Sequence, residues 1–308
     1  MRSDMNTDPG ESDNPVTVAG TSLDVTPIID DVDGMIGSLL VDLGAMTPAE
    51  VERVLKKQSK SDKLFGEIAQ SMGFVSRVQL DQALARQFNS PFLPLEQTQT
   101  ISSRIVAAHQ PRSPFVESMR ALRMQLTRRW FDEPERRCLA ICGVGNDEGR
   151  SYVAANLATV FAQRGERVLL IDADLRRPML RRLFSMPRSR GLSGLLAGRG
   201  SHRPIKAIAA VPGLSVLPGG AAPPNPTELL EQRAFRQLLA ELSQQFSVII
   251  LDTAAAEGST DAQVVAQAAG SAVLVARRNK TPTYTLQELD ASLRDNDVQV
   301  HGLIFNDY

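Results

Sequence analysis

The chain has 308 residues, 43% of them hydrophobic and 22% charged, with a formal net charge of −1. That is a globular composition, long enough for two modest domains, and nothing in it points to nucleic acid. No apolar run approaches the roughly 20 residues of a membrane-spanning helix, and "MRSDMNTDPGESDNP" has no apolar signal-peptide core, so a cytoplasmic protein is expected.

Residues 1–33 hold eight acidic residues and one arginine, a charge of −7 that leaves +6 for the rest. Too few apolar groups are present to fold this stretch alone, and a disordered acidic tail is expected. A repeat follows. "MIGSLLVDLGAMTPAEVERVLKKQ" (35–58) aligns with "LFGEIAQSMGFVSRVQLDQALARQ" (64–87) at an offset of 29 residues. Gly37 matches Gly66, Gly44 matches Gly73, Val51 matches Leu80, Leu55 matches Leu84 and Gln58 matches Gln87. Each 24-residue unit reads as a short helix ended by a glycine, an N-cap at Thr47 or Ser76, and a second amphipathic helix. Pro48 suits the first helical position. A small all-α repeat domain is expected over 34–95.

Packed helix pairs alone would show this spacing. The pattern also resembles the N-terminal domain of type II secretion and pilus ATPases, one branch of which binds cyclic di-GMP through paired motifs. The resemblance makes cyclic di-GMP a candidate ligand. That branch usually opens each motif with Arg-Leu-Gly. Met35-Ile36-Gly37 and Leu64-Phe65-Gly66 stand here instead, without the arginine.

Residues 96–113 read as a polar linker, and "SPFVESMRALRMQLTRRW" as a basic helix. Beyond it, "CLAICG", "RVLLIDAD", "LSVLPGG", "SVIILDT", "SAVLVARR" and "HGLIFN" are continuously apolar runs separated by helical patterns. Such runs belong to strands buried on both faces, so 114–308 should form an α/β domain with a mostly parallel sheet flanked by helices. Cys138 and Cys142 lie on one face of the first strand and read as buried thiols.

The loop "CGVGNDEGRSYVAANLA" (142–158) joins that strand to a helix on whose face Val153, Leu157, Val160 and Phe161 fall. Its amides and helix N-terminus could receive a phosphate. Against G-x-x-x-x-G-K-[ST], Gly149 and Ser151 fit, while Val144 replaces the first glycine and Arg150 the lysine. A dinucleotide fold would show a similar loop. Two later strands end in carboxylates, Asp172-x-Asp174 and Asp252. In a parallel sheet these emerge at the edge where ligands bind. Ser151, Asp172 and Asp252 are a donor set for Mg²⁺. The competing reading is that the aspartates only cap the segments after them.

"EGRSYVAANLATVFAQRGERVLLIDADLRRP", "GLSGLLAG", "LSVLPGGAAPPNPTELL", "FSVIILDT" and "GLIFND" then follow in an order that resembles bacterial tyrosine kinases of polysaccharide export over 112–308. The likeness is greatest to the cytoplasmic chain-length-determinant kinases. It implies a P-loop NTPase fold, with ATP and Mg²⁺ as cofactors. The loop from Gly145 through Asn146, Asp147, Glu148, Gly149, Arg150 and Ser151 to Tyr152 would hold the nucleotide, with Arg150 on the β- and γ-phosphates. Ser151, Asp172 and Asp252 would hold the metal, and Asp172 or Asp174 would orient the attacking hydroxyl. Asn306 would meet the base. Glu117, Arg120 and Arg123 match a self-association helix, which implies a homo-oligomer. The implied partner is a membrane chain-length-determinant (Wzz-like) protein, with the chain held peripherally at the inner membrane through it.

The departures are as informative. Thr253-Ala254-Ala255 replaces the usual Thr-Pro-Pro, and of the three tyrosines only Tyr308 sits like a tail phospho-acceptor. A nucleotide-gated switch that oligomerises without chemistry is the alternative. A partition-type ATPase is disfavoured, because Gly145 replaces its second lysine. The arginines Arg176, Arg177, Arg181 and Arg182 read as a basic face that could grip a partner.

Overall fold

The computed structural model describes residues 29–87, 101–198 and 204–307. Residues 1–28, most of the expected tail, lie outside it, as do 96–100 and Tyr308. Helix α1 (Ile29–Asp42) starts within the stretch read as tail.

The repeat forms two helix pairs, α1 with α2 (Pro48–Gln58) and α3 (Phe65–Ser71) with α4 (Arg77–Gln87). Gly44 and Gly73 end the first helix of each pair at φ +66° and +72°, a conformation glycine takes without strain. Thr47 Oγ1 accepts from Glu50 N while the Glu50 carboxylate accepts from Thr47 N, and Ser76 and Gln79 repeat this exchange. Gly37 and Gly66 serve packing instead. A Cβ at Gly37 would lie 2.9 Å from Val51 Cγ1, and one at Gly66 2.7 Å from Leu80 Cδ2. Leu40, Val54, Phe65, Ile68 and Ala83 fill the small core between the pairs.

The rest of the described chain builds a seven-stranded sheet. In chain order it has α5 (Val106–His109), α6 (Pro114–Leu126), β1 (Cys138–Cys142), α7 (Arg150–Ala162), β2 (Val168–Asp172), α8 (Leu180–Leu183), α9 (Gly191–Leu196), β3 (Lys206–Ala207) and β4 (Leu214–Leu217). There follow α10 (Pro226–Glu231), α11 (Arg233–Ser243), β5 (Val248–Asp252), α12 (Asp261–Ala269), β6 (Ser271–Arg277), α13 (Thr283–Asp295) and β7 (Gln299–Asn306). The strand order is β3-β4-β2-β5-β1-β6-β7, parallel except where the short β3 runs against β4.

Successive strand residues feed opposite cores. Leu139, Ile141, Leu170 and Ile250 pack under α7, whereas Cys138, Ala140, Cys142, Leu169 and Ile249 pack under α9 to α13. The two cysteines therefore share a face as free thiols, and burial pushes them up to about 11 and about 12.

Residues 101–109 correct the linker expectation. Ile101, Ile105, Ala107 and Ala108 are buried in the α/β domain, and Asn156 on α7 binds Ala107 N and Arg104 O at 2.9 and 3.0 Å. The segment is polar overall, but its apolar residues cover the outer face of α7. Together with the sheet and α6, this leaves eleven of the 13 residues of α7 buried. Among the described residues no helix is long and apolar enough to cross a membrane.

Candidate functional site

The parallel strands bring the carboxyl ends of β1, β2 and β5 together, and the loop 143–149 rises from β1 at that edge. Gly149, at φ +96°, turns the chain into α7. Gly143 is needed for space: a Cβ there would lie 2.7 Å from Val275 O, 2.8 Å from Glu148 Oε2 and 3.2 Å from Arg150 Cδ. The absent side chain leaves the slot those two residues fill.

Asp172 and Asp252 are direct register partners on adjacent strands, and both are fully buried. Asp172 Oδ2 accepts from Leu180 N at 3.0 Å, but Asp172 Oδ1 and both oxygens of Asp252 lack a partner at full hydrogen-bond geometry, only a weaker approach of the Ser151 hydroxyl reaching Asp252. Burial, reinforced by the facing Asp252, holds Asp172 well above the carboxylate range. Burial also raises Asp252 to about 7, against the easing effect of nearby Ser151 and Arg150. Capping thus accounts for part of this acidic motif, since Asp174 Oδ1 accepts from Arg176 N and Arg177 N at 3.1 and 2.8 Å. It does not account for those three oxygens of Asp172 and Asp252. They fit a cation that keeps both carboxylates ionised. No group of three or more His, Cys, Asp or Glu side chains among the described residues could hold a metal alone. The facing carboxylate pair suits Mg²⁺, which takes one or two carboxylates and completes its shell with phosphate and water. Ser151 stands in the first turn of α7, beside Asp252.

Arg150 is only 7% exposed. Its Nε donates to Thr253 O at 3.1 Å, one Nη donates to Gly145 O, and the Glu148 carboxylate lies 3.8 Å away. The family resemblance implies Arg150 on the phosphates; its guanidinium here bonds Thr253 O and Gly145 O. Asn306, at the end of β7, donates to Glu148 O at 2.9 Å, and Tyr152 packs on Phe115. Glu117 pairs with Arg120 within α6, while Arg123 reaches Val160 O on α7 at 3.1 Å.

Several site residues were not legible in the sequence. Thr281 Oγ1 donates to Glu148 Oε1 at 2.6 Å, and Lys280 Nζ to Asn146 O at 3.2 Å, so the β6–α13 turn grips the loop. Arg176 is held by fully buried Asp261 at 2.7 and 3.1 Å. These partners lie far apart in the chain, and Asp261 reads as an ordinary acid at a helix start. Two openings meet here. A cleft of about 730 Å³ runs from Val144–Glu148 to Lys280 and Tyr284, and a mouth of about 200 Å³ holds Asn146, Asp174, Arg177 and Glu257. Arg177, Arg181 and Arg182 line a separate 580 Å³ groove with Arg188.

The loop, its helix and the two strand-end carboxylates on a parallel sheet define a P-loop NTPase-type domain. The family model described as cellulose biosynthesis protein BcsQ matches residues 136–298. The tyrosine-protein kinase Ptk of Acinetobacter johnsonii is 30% identical over 275 residues, 89% of this chain and 35% of that protein. The tyrosine-protein kinase Wzc of Salmonella typhimurium is 34% identical over 207 residues, 66% of this chain and 28% of that protein. This chain therefore spans about a third of the length of these relatives. The solved kinase domain of Escherichia coli tyrosine kinase ETK superposes with a TM-score of 0.63 at 34% identity, covering 70% of this chain and 84% of that one. The BceF tyrosine kinase domain gives 0.60 at 30% identity, covering 73% and 86%. The chain belongs to the bacterial tyrosine-kinase family.

Proposed function

We propose that this protein is an Mg-ATP-binding, tyrosine-kinase-like ATPase of exopolysaccharide production. It would act on chain length, polymerisation or export together with a membrane chain-length protein, and would sit at the inner membrane through that partner. The observation that carries the reading is the facing pair Asp172 and Asp252, buried, short of partners and set beside a phosphate-type loop. Ser151, Asp172 and Asp252 would hold Mg²⁺, which when bound supplies charge neutralisation at the phosphates.

The chain's own groups do the rest. The amides of 145–151, at the N-terminus of α7, receive the phosphates. Asp174 faces the mouth and orients an acceptor hydroxyl. Positioning and electrostatics suffice for phosphoryl transfer, and no covalent enzyme intermediate is required. A membrane partner's cytoplasmic segment, or Tyr308 of another copy, would be the acceptor.

The test is ATP turnover and anti-phosphotyrosine signal from purified protein, with and without that cytoplasmic segment. Both should depend on Mg²⁺ and vanish in Asp172→Ala. No signal under any of these conditions sinks the catalytic reading. One observation favours a second reading, a nucleotide-gated switch without turnover: the guanidinium of Arg150 is committed to the loop itself. Nucleotide-dependent oligomers without turnover would support it.

A further inference from the structure

Arg150 occupies the position of the phosphate-binding lysine, yet it is built in as a strut. It ties the loop to Thr253 at the end of β5 and to Gly145, in the slot Gly143 leaves open. Swinging it outward would strand two backbone carbonyls and remove the nearest cation from Glu148, which is 2% exposed and already has one unpartnered oxygen.

Other cations stand nearby. Arg176 is bound to Asp261, and Arg278 to Asp307 at 3.1 Å. Arg177 is exposed and lines the 200 Å³ mouth rather than the larger cleft. Lys280 is different. It is exposed, it lines the 730 Å³ cleft, and its ammonium already touches the loop at Asn146 O. An ammonium has three donors on a flexible four-carbon stem, so it can move to a phosphate while its turn stays still. That turn is fixed, because Thr281 bonds Glu148 on one side and accepts from Arg277 N at 2.9 Å on the other.

We infer that Lys280 supplies the phosphate-binding cation that Arg150, bonded to Thr253 O and Gly145 O, does not, and so is a binding residue for the β- and γ-phosphates of the nucleotide. This rests on the ATP-site reading above. Full-length wild type, Lys280→Ala and Arg177→Ala are titrated calorimetrically with ATP, ADP and adenosine in Mg²⁺, with thermal unfolding of each as a fold check. Loss of one charge-assisted contact predicts about tenfold weaker ATP binding by Lys280→Ala. The loss for ADP should be smaller and adenosine unchanged, while Arg177→Ala stays near wild type. Wild-type ATP affinity in Lys280→Ala overturns the assignment, as does an equal loss for adenosine or a larger loss in Arg177→Ala. A wild type that binds no ATP overturns the ATP-site reading itself, and this inference with it.

Discussion

Replacing Asp252 by Asn should stabilise the nucleotide-free protein, and only above mildly acidic pH. Burial lifts this carboxyl from an ordinary value of 3.8 to about 7 in the folded chain. The native state then holds its proton more tightly than the unfolded state, so the stability gained from that proton is lost as pH rises from about 4 to about 7. A rise of that size corresponds to about 4 kcal/mol of penalty once the carboxyl is ionised in both states. The group is fully buried, so solvent screening removes little of it. Asn keeps the shape without the charge. Urea denaturation in EDTA should give nearly equal stabilities for wild type and Asp252→Asn below the unfolded carboxyl's value of 3.8. By pH 8 the variant should lead by several kcal/mol, and saturating Mg-ATP should reverse the order. A constant difference across pH, or a less stable variant at pH 8, would refute the picture of a charge pair waiting for a cation.

Further expectations follow from single residues. Gly143→Ala should cost about 2 kcal/mol in chemical denaturation, since its Cβ would overlap Val275 O and press on Glu148 and Arg150. Asn156→Ala removes the partners of Ala107 N and Arg104 O and should cost about 2 kcal/mol, with new proteolytic cleavage within 101–110 as the local readout. Cys138 and Cys142, raised to about 11 and about 12 by burial, should ignore a thiol reagent at pH 8 until the chain is denatured.

The α/β fold was legible because parallel strands buried on both faces leave continuous apolar runs, as in Leu169–Ile171 and Ile249–Leu251. The helix pairs showed themselves through local chemistry at Thr47, Ser76, Gly44 and Gly73, which acts within a few residues. What stayed hidden depends on distant partners. β3 is two exposed residues whose pairing is set by β4. The polar letters of 101–113 mask Ile101 and Ile105, and Asn156, which holds the segment at Ala107 N, lies 49 residues further along the chain. Asp172 and Asp252 were readable as carboxylates at strand ends. The burial of Arg150 was not, because it follows from Gly143, Glu148 and Thr253 closing around it, and the reach of Lys280 follows from the β6–α13 turn.

A P-loop site completed by Asp172 and Asp252 for Mg-ATP makes nucleotide binding depend on the metal. Calorimetric titration of the full chain with ATP should show affinity falling by at least about tenfold when EDTA replaces Mg²⁺, and that dependence should vanish in the Asp172→Ala, Asp252→Ala double variant. Equal ATP affinity with and without Mg²⁺ in the wild type, or a metal dependence that survives in the double variant, would contradict it.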